Sequence, residues 1–246
     1  MQVRHSGLII RESDVGESDR IITVLTADNG IIRAFSRGSK KIKSKLFSST
    51  RMFTFGDFDL HQGKDKYIVT EAKRRMGFFG TPADIERLAL AQYICELCSV
   101  AVAQEQPDES GEVLRLVLNT LYAIDKTDKP LDIIKPSFEL RMMAALGYCP
   151  DVSECAQCGE RDGDMFFYKD DGQMLCRECG SFNAGGETVS PSVVSAMRYI
   201  LSCDVEKLFS YSIPEEARKQ LGKVSEKYTL SCLERTFKTL DFYNSL

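Results

Sequence analysis

The sequence predicts an α+β chain in two parts: an N-terminal β-barrel of the OB type over residues 1–80, then an α-helical domain over 81–246. The second part carries a four-cysteine zinc hairpin at about 149–180. Three observations lead there. Short β-branched segments separated by turn signals fill the first 80 residues. Beyond them the apolar residues recur at helical spacing. Within that helical part, Cys155-Ala-Gln-Cys158 and Cys176-Arg-Glu-Cys179 stand seventeen residues apart, which matches the four-thiolate zinc pattern.

Each barrel element has its own signal. Residues 3–11 alternate towards Leu8-Ile9-Ile10, and the polar segment 12–19 reads as a turn. Arg20-Ile-Ile-Thr-Val-Leu-Thr26 is strand-like. Asp28-Asn29-Gly30 turns the chain into a strand over 31–35. A basic segment, Arg37 to Lys45, is expected to be a flexible interruption. Strands resume at 52–55 and 58–60 and, after a turn over 61–65, at 67–70. Strands this short over about 75 residues suit a small closed barrel such as the OB-fold.

The helical elements follow. Thr81-Pro82 reads as an N-cap and N1 proline for a helix to about Gln104, with Leu88, Ala91, Cys95, Cys98 and Val102 on one face. Cys95 and Cys98 form a third Cys-x-x-Cys, but a redox pair belongs at a helix start beside a strand. Mid-helix they are expected to be packing residues. Ser110 caps a second helix whose apolar face is Leu114, Val117, Leu118, Leu121 and Ile124. A third runs from Leu131 to Leu146, with Pro136 as a possible kink and Gly147 as its cap. Ser190-Pro191 opens a helix to Cys203. A last long one from Pro214 carries Leu221, Val224, Tyr228, Leu233, Phe237 and Leu240.

Between the cysteine pairs, Met165–Tyr168 and Gln173–Leu175 read as a hairpin around Asp170-Asp171-Gly172. Each pair forms a knuckle presenting two thiolates, and two knuckles close a tetrahedral cage suited to one Zn²⁺. Gly159 and Gly180 are expected to supply the left-handed backbone of the knuckles. Two disulfides or four unrelated core thiols are the other readings of this spacing. Catalytic zinc usually takes His or carboxylate ligands and keeps an open position. The only histidines, His5 and His61, are distant in sequence, so the metal is expected to be structural. Cys149 is a fifth thiol near the set and is expected to be a bystander.

With 43% hydrophobic and 28% charged residues, the chain has the composition of a soluble globular protein. No apolar run reaches the roughly 20 residues of a membrane span, and no membrane association is expected. The start lacks the apolar region of a signal peptide. Nine cysteines, four at metal spacing, suit a reducing cytoplasm. Phosphate-binding loops, nucleophile elbows and His-Glu-x-x-His motifs are absent, so no catalysis is expected.

The distribution of charge is more informative than its total. Net charge is −4, yet Asn29 to Gly56 holds no acid and seven cations: Arg33, Arg37, Lys40, Lys41, Lys43, Lys45 and Arg51. Such a run is either a solvated loop or a track for nucleic-acid phosphates. Phe35 and Phe53 are expected in the core, leaving Phe47 as the ring available for base stacking. Lys73-Arg74-Arg75 is expected to extend the patch.

The chain resembles the RecO family of bacterial DNA repair proteins over essentially its full length. The residues that carry this are Gly7–Arg11, Gly16-Glu-Ser-Asp-Arg20, Val24–Thr26, Asn29–Ile32, Arg37–Leu46, Leu146-Gly-Tyr148 before the cysteines, and Lys238-Thr-Leu240. The resemblance implies the OB-fold, the helical domain and the zinc insert. It also implies binding of single- and double-stranded DNA, annealing of complementary strands, and partnership with RecR. Contact with the C-terminal tail of single-strand-binding protein, help in loading RecA, and work on the bacterial nucleoid are implied as well. An RNA-binding OB/zinc-ribbon factor and a thiol–disulfide enzyme are the rival expectations.

Overall fold

Alternation along the first strands determines which side chains enter the barrel. In the computed structural model, which describes residues 1–64, 66–80, 84–102 and 110–246, five strands close in the order β1-β2-β3-β5-β4. They are β1 (Gln2–Val15), β2 (Asp19–Thr26), β3 (Ile31–Ser36), β4 (Thr54–Gln62) and β5 (Tyr67–Gly77). Ile9, Ile22, Val24, Ile32, Ala34, Phe58, Leu60, Tyr67 and Val69 fill the interior. β1 pairs with β4 through its first half and with β2 through its second, so one bent strand serves both sides of the barrel. The bend brings backbones close. A Cβ on Gly7 would lie 2.6 Å from the Leu25 carbonyl oxygen, and one on Gly56, directly opposite, 2.4 Å from that of Lys73.

Two expectations about the strands are corrected. The polar segment 12–19 is mostly strand, and only Gly16–Ser18 turn. The segments 52–55 and 58–60 are one strand, β4, because Gly56 continues the ladder instead of ending it.

The helices are α1 (Ile85–Ala101), α2 (Ser110–Lys126) and α3 (Leu131–Ala145). Asp84 caps α1 by accepting from the Glu86 N–H. The expected Thr81-Pro82 cap and the helix end at Gln104 lie outside the described residues. Burial on α1 extends well beyond the expected face, since Leu90, Tyr93, Ile94 and Leu97 are buried with Cys95 and Cys98. α3 continues through Pro136, and Gly147 follows it at φ +86°.

A three-stranded sheet of order β7-β6-β8 comes next, from β6 (Met165–Tyr168), β7 (Gln173–Cys176) and β8 (Glu187–Val189), with the one-turn α4 (Arg177–Gly180). β8 has no counterpart among the expected elements. Then come α5 (Pro191–Ser202), α6 (Glu215–Leu233) and α7 (Lys238–Tyr243). The expected last long helix is thus two: Glu234 adopts φ 48° and ends α6.

The two compact units are Met1–Asp125 with Phe237–Leu246, and Lys126–Thr236. The last barrel strand ends at Gly77 and α1 begins at Ile85, and the first unit also holds α1, α2 and α7. Phe237 and Leu240 account for the last of these. Phe237 meets Tyr93 of α1 edge-on at 5.7 Å, and the Thr239 N–H donates to Glu96. No described helix is long and apolar enough to cross a membrane.

Candidate metal centre and nucleic-acid interface

In the second unit, the hairpin register Met165↔Cys176 to Tyr168↔Gln173 delivers Cys176 to the end of β7, where it caps α4. The Cys176 sulfur accepts from the Cys179 N–H at 3.5 Å, and that single helical turn is the second knuckle. The first knuckle closes with the Gly159 N–H on the Cys155 carbonyl, and Gly159 takes φ +79°. Gly180 does not need a positive φ. A Cβ there would sit 2.4 Å from the Phe166 ring, so close packing is what requires this glycine. The two knuckles are joined by the Ala156 N–H donating to the Met174 carbonyl.

The sulfurs of Cys155, Cys158, Cys176 and Cys179 lie within 4.8 Å of one another, with Cys158 and Cys176 at 3.6 Å. Tetrahedral bonds of about 2.3 Å would set zinc-bound sulfurs about 3.8 Å apart, so the cluster has the size of a metal cage. Cys149 is exposed and outside it. Burial opposes ionisation of Cys155, but N–H groups at Cys176, Cys158 and Gln157 bring its thiol down to about 6. Hydrogen bonding with Cys158 and Cys176 pushes Cys179 up to about 12. Four thiolates this close repel, and a divalent cation is what permits all of them to ionise together. The lobe is fastened by Arg198 of α5, which donates to the carbonyls of Val152, Ser153 and Arg161 at 2.7–3.0 Å. Sequence reasoning had not singled out this arginine.

Cys95 and Cys98 are fully buried on α1, and burial pushes both thiols far up. Thiols held in that state are poor nucleophiles, which weighs against thiol–disulfide chemistry there.

In the first unit the basic segment is an ordered run of turns rather than a loose loop. Asp19 accepts from the Gly38 N–H at 2.7 Å, and that bond is the main reason its carboxyl lies below the usual range. Arg20, only 3% exposed, donates to the carbonyls of Ser39 and Phe47 and to the Thr50 hydroxyl. Its guanidinium also lies over Phe47, at 5.4 Å. The expected stacking ring therefore has a partner within the fold.

The seven cations divide. Lys40 pairs with Asp14 at 2.8 Å and Arg51 with Glu12 at 3.4 Å. Arg33, Arg37, Lys41, Lys43 and Lys45 are exposed and make no ion pair with a described residue. Of the expected extension, Arg75 pairs with Asp57.

Phe35, expected in the core, faces outward. It stands opposite Ile21 on β2 and Ile68 on β5, and the three half-buried side chains form one row across the outer surface of the barrel. The row lies in a groove of about 770 Å³ that is also lined by Arg33, Arg37, Lys64 and Lys66, with no acidic residue among the described residues of its lining. Lys64 and Lys66 come from the β4–β5 loop and were missed, because the sequence separates them from the basic segment. By contrast, Cys149 to Gly180 holds eight acidic and three basic side chains, a balance that repels phosphate.

Comparison with known proteins gives a consistent result. A family model described as Recombination protein O N terminal matches residues 1–78, and one described as Recombination protein O C terminal matches 82–241. A curated relative from Acetivibrio thermocellus, "DNA repair protein RecO", is 34% identical over 246 residues, covering 99% of this chain and 97% of its own. The protein of that name from Desulfitobacterium hafniense is 31% identical, covering 100% and 91%. The one from Dehalococcoides mccartyi is 28% identical, covering 97% and 94%.

Proposed function

The chain belongs to the RecO family of DNA repair proteins, and from that premise we propose that it is a non-enzymatic recombination mediator. It binds single- and double-stranded DNA, anneals complementary strands and, with RecR, helps load RecA onto DNA coated by single-strand-binding protein, whose C-terminal tail it contacts. On this reading it works in the bacterial cytoplasm, on the nucleoid.

The observation that carries the DNA-binding part is the groove on the barrel. An apolar row of Ile21, Phe35 and Ile68 offers a surface for bases, and four cations, with no acid among the described lining residues, offer contacts for phosphates. The cations of the turns at 37–45 continue the same charge. Annealing on such a surface requires no catalytic group. Neutralising two backbones in one complex raises the effective concentration of each strand for the other.

Cys155, Cys158, Cys176 and Cys179 hold one Zn²⁺ on this proposal. An all-thiolate set with no open position suits a structural ion. The metal maintains the lobe between α3 and α5, and the DNA lies elsewhere.

The deciding experiment is strand annealing on complementary DNA pre-coated with cognate single-strand-binding protein. Acceleration over the spontaneous rate is expected. A protein that binds naked strands but cannot anneal coated ones would remove the mediator reading. Preference for matched RNA over DNA in competition would replace it with an RNA-binding role.

A further inference from the structure

We propose that Ile42 is a base-unstacking wedge, an apolar side chain carried on a cationic turn and inserted between neighbouring bases of DNA bound to the barrel. The inference rests on the DNA-binding reading above and adds an action to it.

Ile42 is 86% exposed. It occupies a turn closed by the Ser44 N–H donating to the Lys41 carbonyl at 2.8 Å, with Ile42 and Lys43 at the corner. Corners of this kind favour Gly, Pro, Asn, Asp or Ser, whose backbone or side chain suits the bend. A β-branched apolar residue serves neither the turn nor the barrel core there. Its neighbours are cations: Lys41 and Lys43 flank it, Lys45 follows, and all three are exposed without an ion pair to a described residue. A protein-docking surface would group several apolar residues, whereas Ile42 stands alone among charges that suit phosphates.

The tip is short and its base is held. On one side the Lys40 N–H donates to the Ser18 carbonyl at 2.9 Å, and the Lys40 ammonium reaches Asp14 and the Gly16 carbonyl. On the other side the Phe47 N–H bonds the Ser44 carbonyl, and Arg20 holds the Phe47 carbonyl. A wedge needs such support. Separating a base step sacrifices stacking, which apolar contact and added phosphate contacts must offset. A strand opened in this way has its pairing edges freed from its own stacked or folded form, which is the state a complementary strand can capture.

The test uses the full-length protein and single strands with 2-aminopurine between purines, whose fluorescence rises when the base unstacks. Native protein at saturation should raise the signal. Ile42→Ser should lose most of that rise at saturation, while Ile42→Leu should keep it. Affinity by anisotropy should change by no more than about tenfold, because lost apolar burial is offset by the relieved cost of unstacking. An equal rise with Ile42→Ser, or binding without any rise in the native protein, overturns the wedge and leaves the DNA-binding reading intact. No binding by native protein removes both. Binding to phosphatidylserine vesicles that disappears in Ile42→Ser, with no change in the aminopurine signal, would assign the residue to a lipid surface instead.

Discussion

The guanidinium of Arg20 lies 5.4 Å from the centre of the Phe47 ring, joining the start of β2 to a side chain twenty-seven positions later. The same arginine donates to the carbonyls of Ser39 and Phe47 and to Thr50, so one buried cation organises the turns that display the exposed ones.

Replacing Arg20 with Met should therefore loosen residues 37–50 while leaving the barrel closed. The loss is expected to be about 2–3 kcal/mol, since charged hydrogen bonds are removed but their acceptors can be rehydrated. Urea unfolding measures the loss. Hydrogen exchange should show faster exchange for the amides of Lys40, Ser44, Phe47 and Thr50 in particular, and uniform exchange across the barrel would contradict this role.

Zinc should depend on the four clustered thiols alone. Cys155→Ser is expected to lower bound zinc and thermal stability, because metal affinity supplies much of the folding free energy of so small a lobe. Cys149→Ser should leave both nearly unchanged, as its sulfur lies outside the cluster. Metal analysis with calorimetry decides, and loss of metal in Cys149→Ser would mean that the ligand set is wrong.

Cys95 and Cys98 are packing residues. The double Ala variant should lose about 1–3 kcal/mol, the scale of small buried cavities, and should still bind DNA where it is folded. In the native protein, burial keeps both thiols protonated, so iodoacetamide at neutral pH should label Cys149 and spare them. A folded double variant unable to anneal DNA would overturn the packing assignment.

Salt dependence can locate the strand on the barrel. Neutralising Arg33, Arg37, Lys64 and Lys66 should reduce the slope of log affinity against log salt by about 3 for single strands, if each contacts a phosphate. Neutralising Lys41, Lys43 and Lys45 should reduce it by about 2 on the same rule. Both changes should act alike on all base sequences. Lys40 is left out of both sets because it pairs with Asp14, so neutralising it would also release that carboxylate. An unchanged slope in both folded variants would move the DNA site off the barrel.

Local signals were enough for the elements whose chemistry is local. The Cys-x-x-Cys spacing and the Asp-Gly turn determined the four-cysteine hairpin, since a knuckle and a two-stranded ribbon are set by a few neighbouring residues. Alternation in β2 and β3 determined the barrel type for the same reason. The outward row of Ile21, Phe35 and Ile68 was decided only in the tertiary structure. It joins three strands through ladder register, and a ring that alternates like a core residue can equally belong to the opposite face. The pairing of Lys40 and Arg51 with Asp14 and Glu12 was likewise hidden, because charges distant along the chain meet only when β1 and the basic turns come together. The break at Glu234 was decided the same way. Phe237 and Leu240 continue the helical spacing of α6, but they are buried in the first unit beside α1, and the chain bends to bring them there.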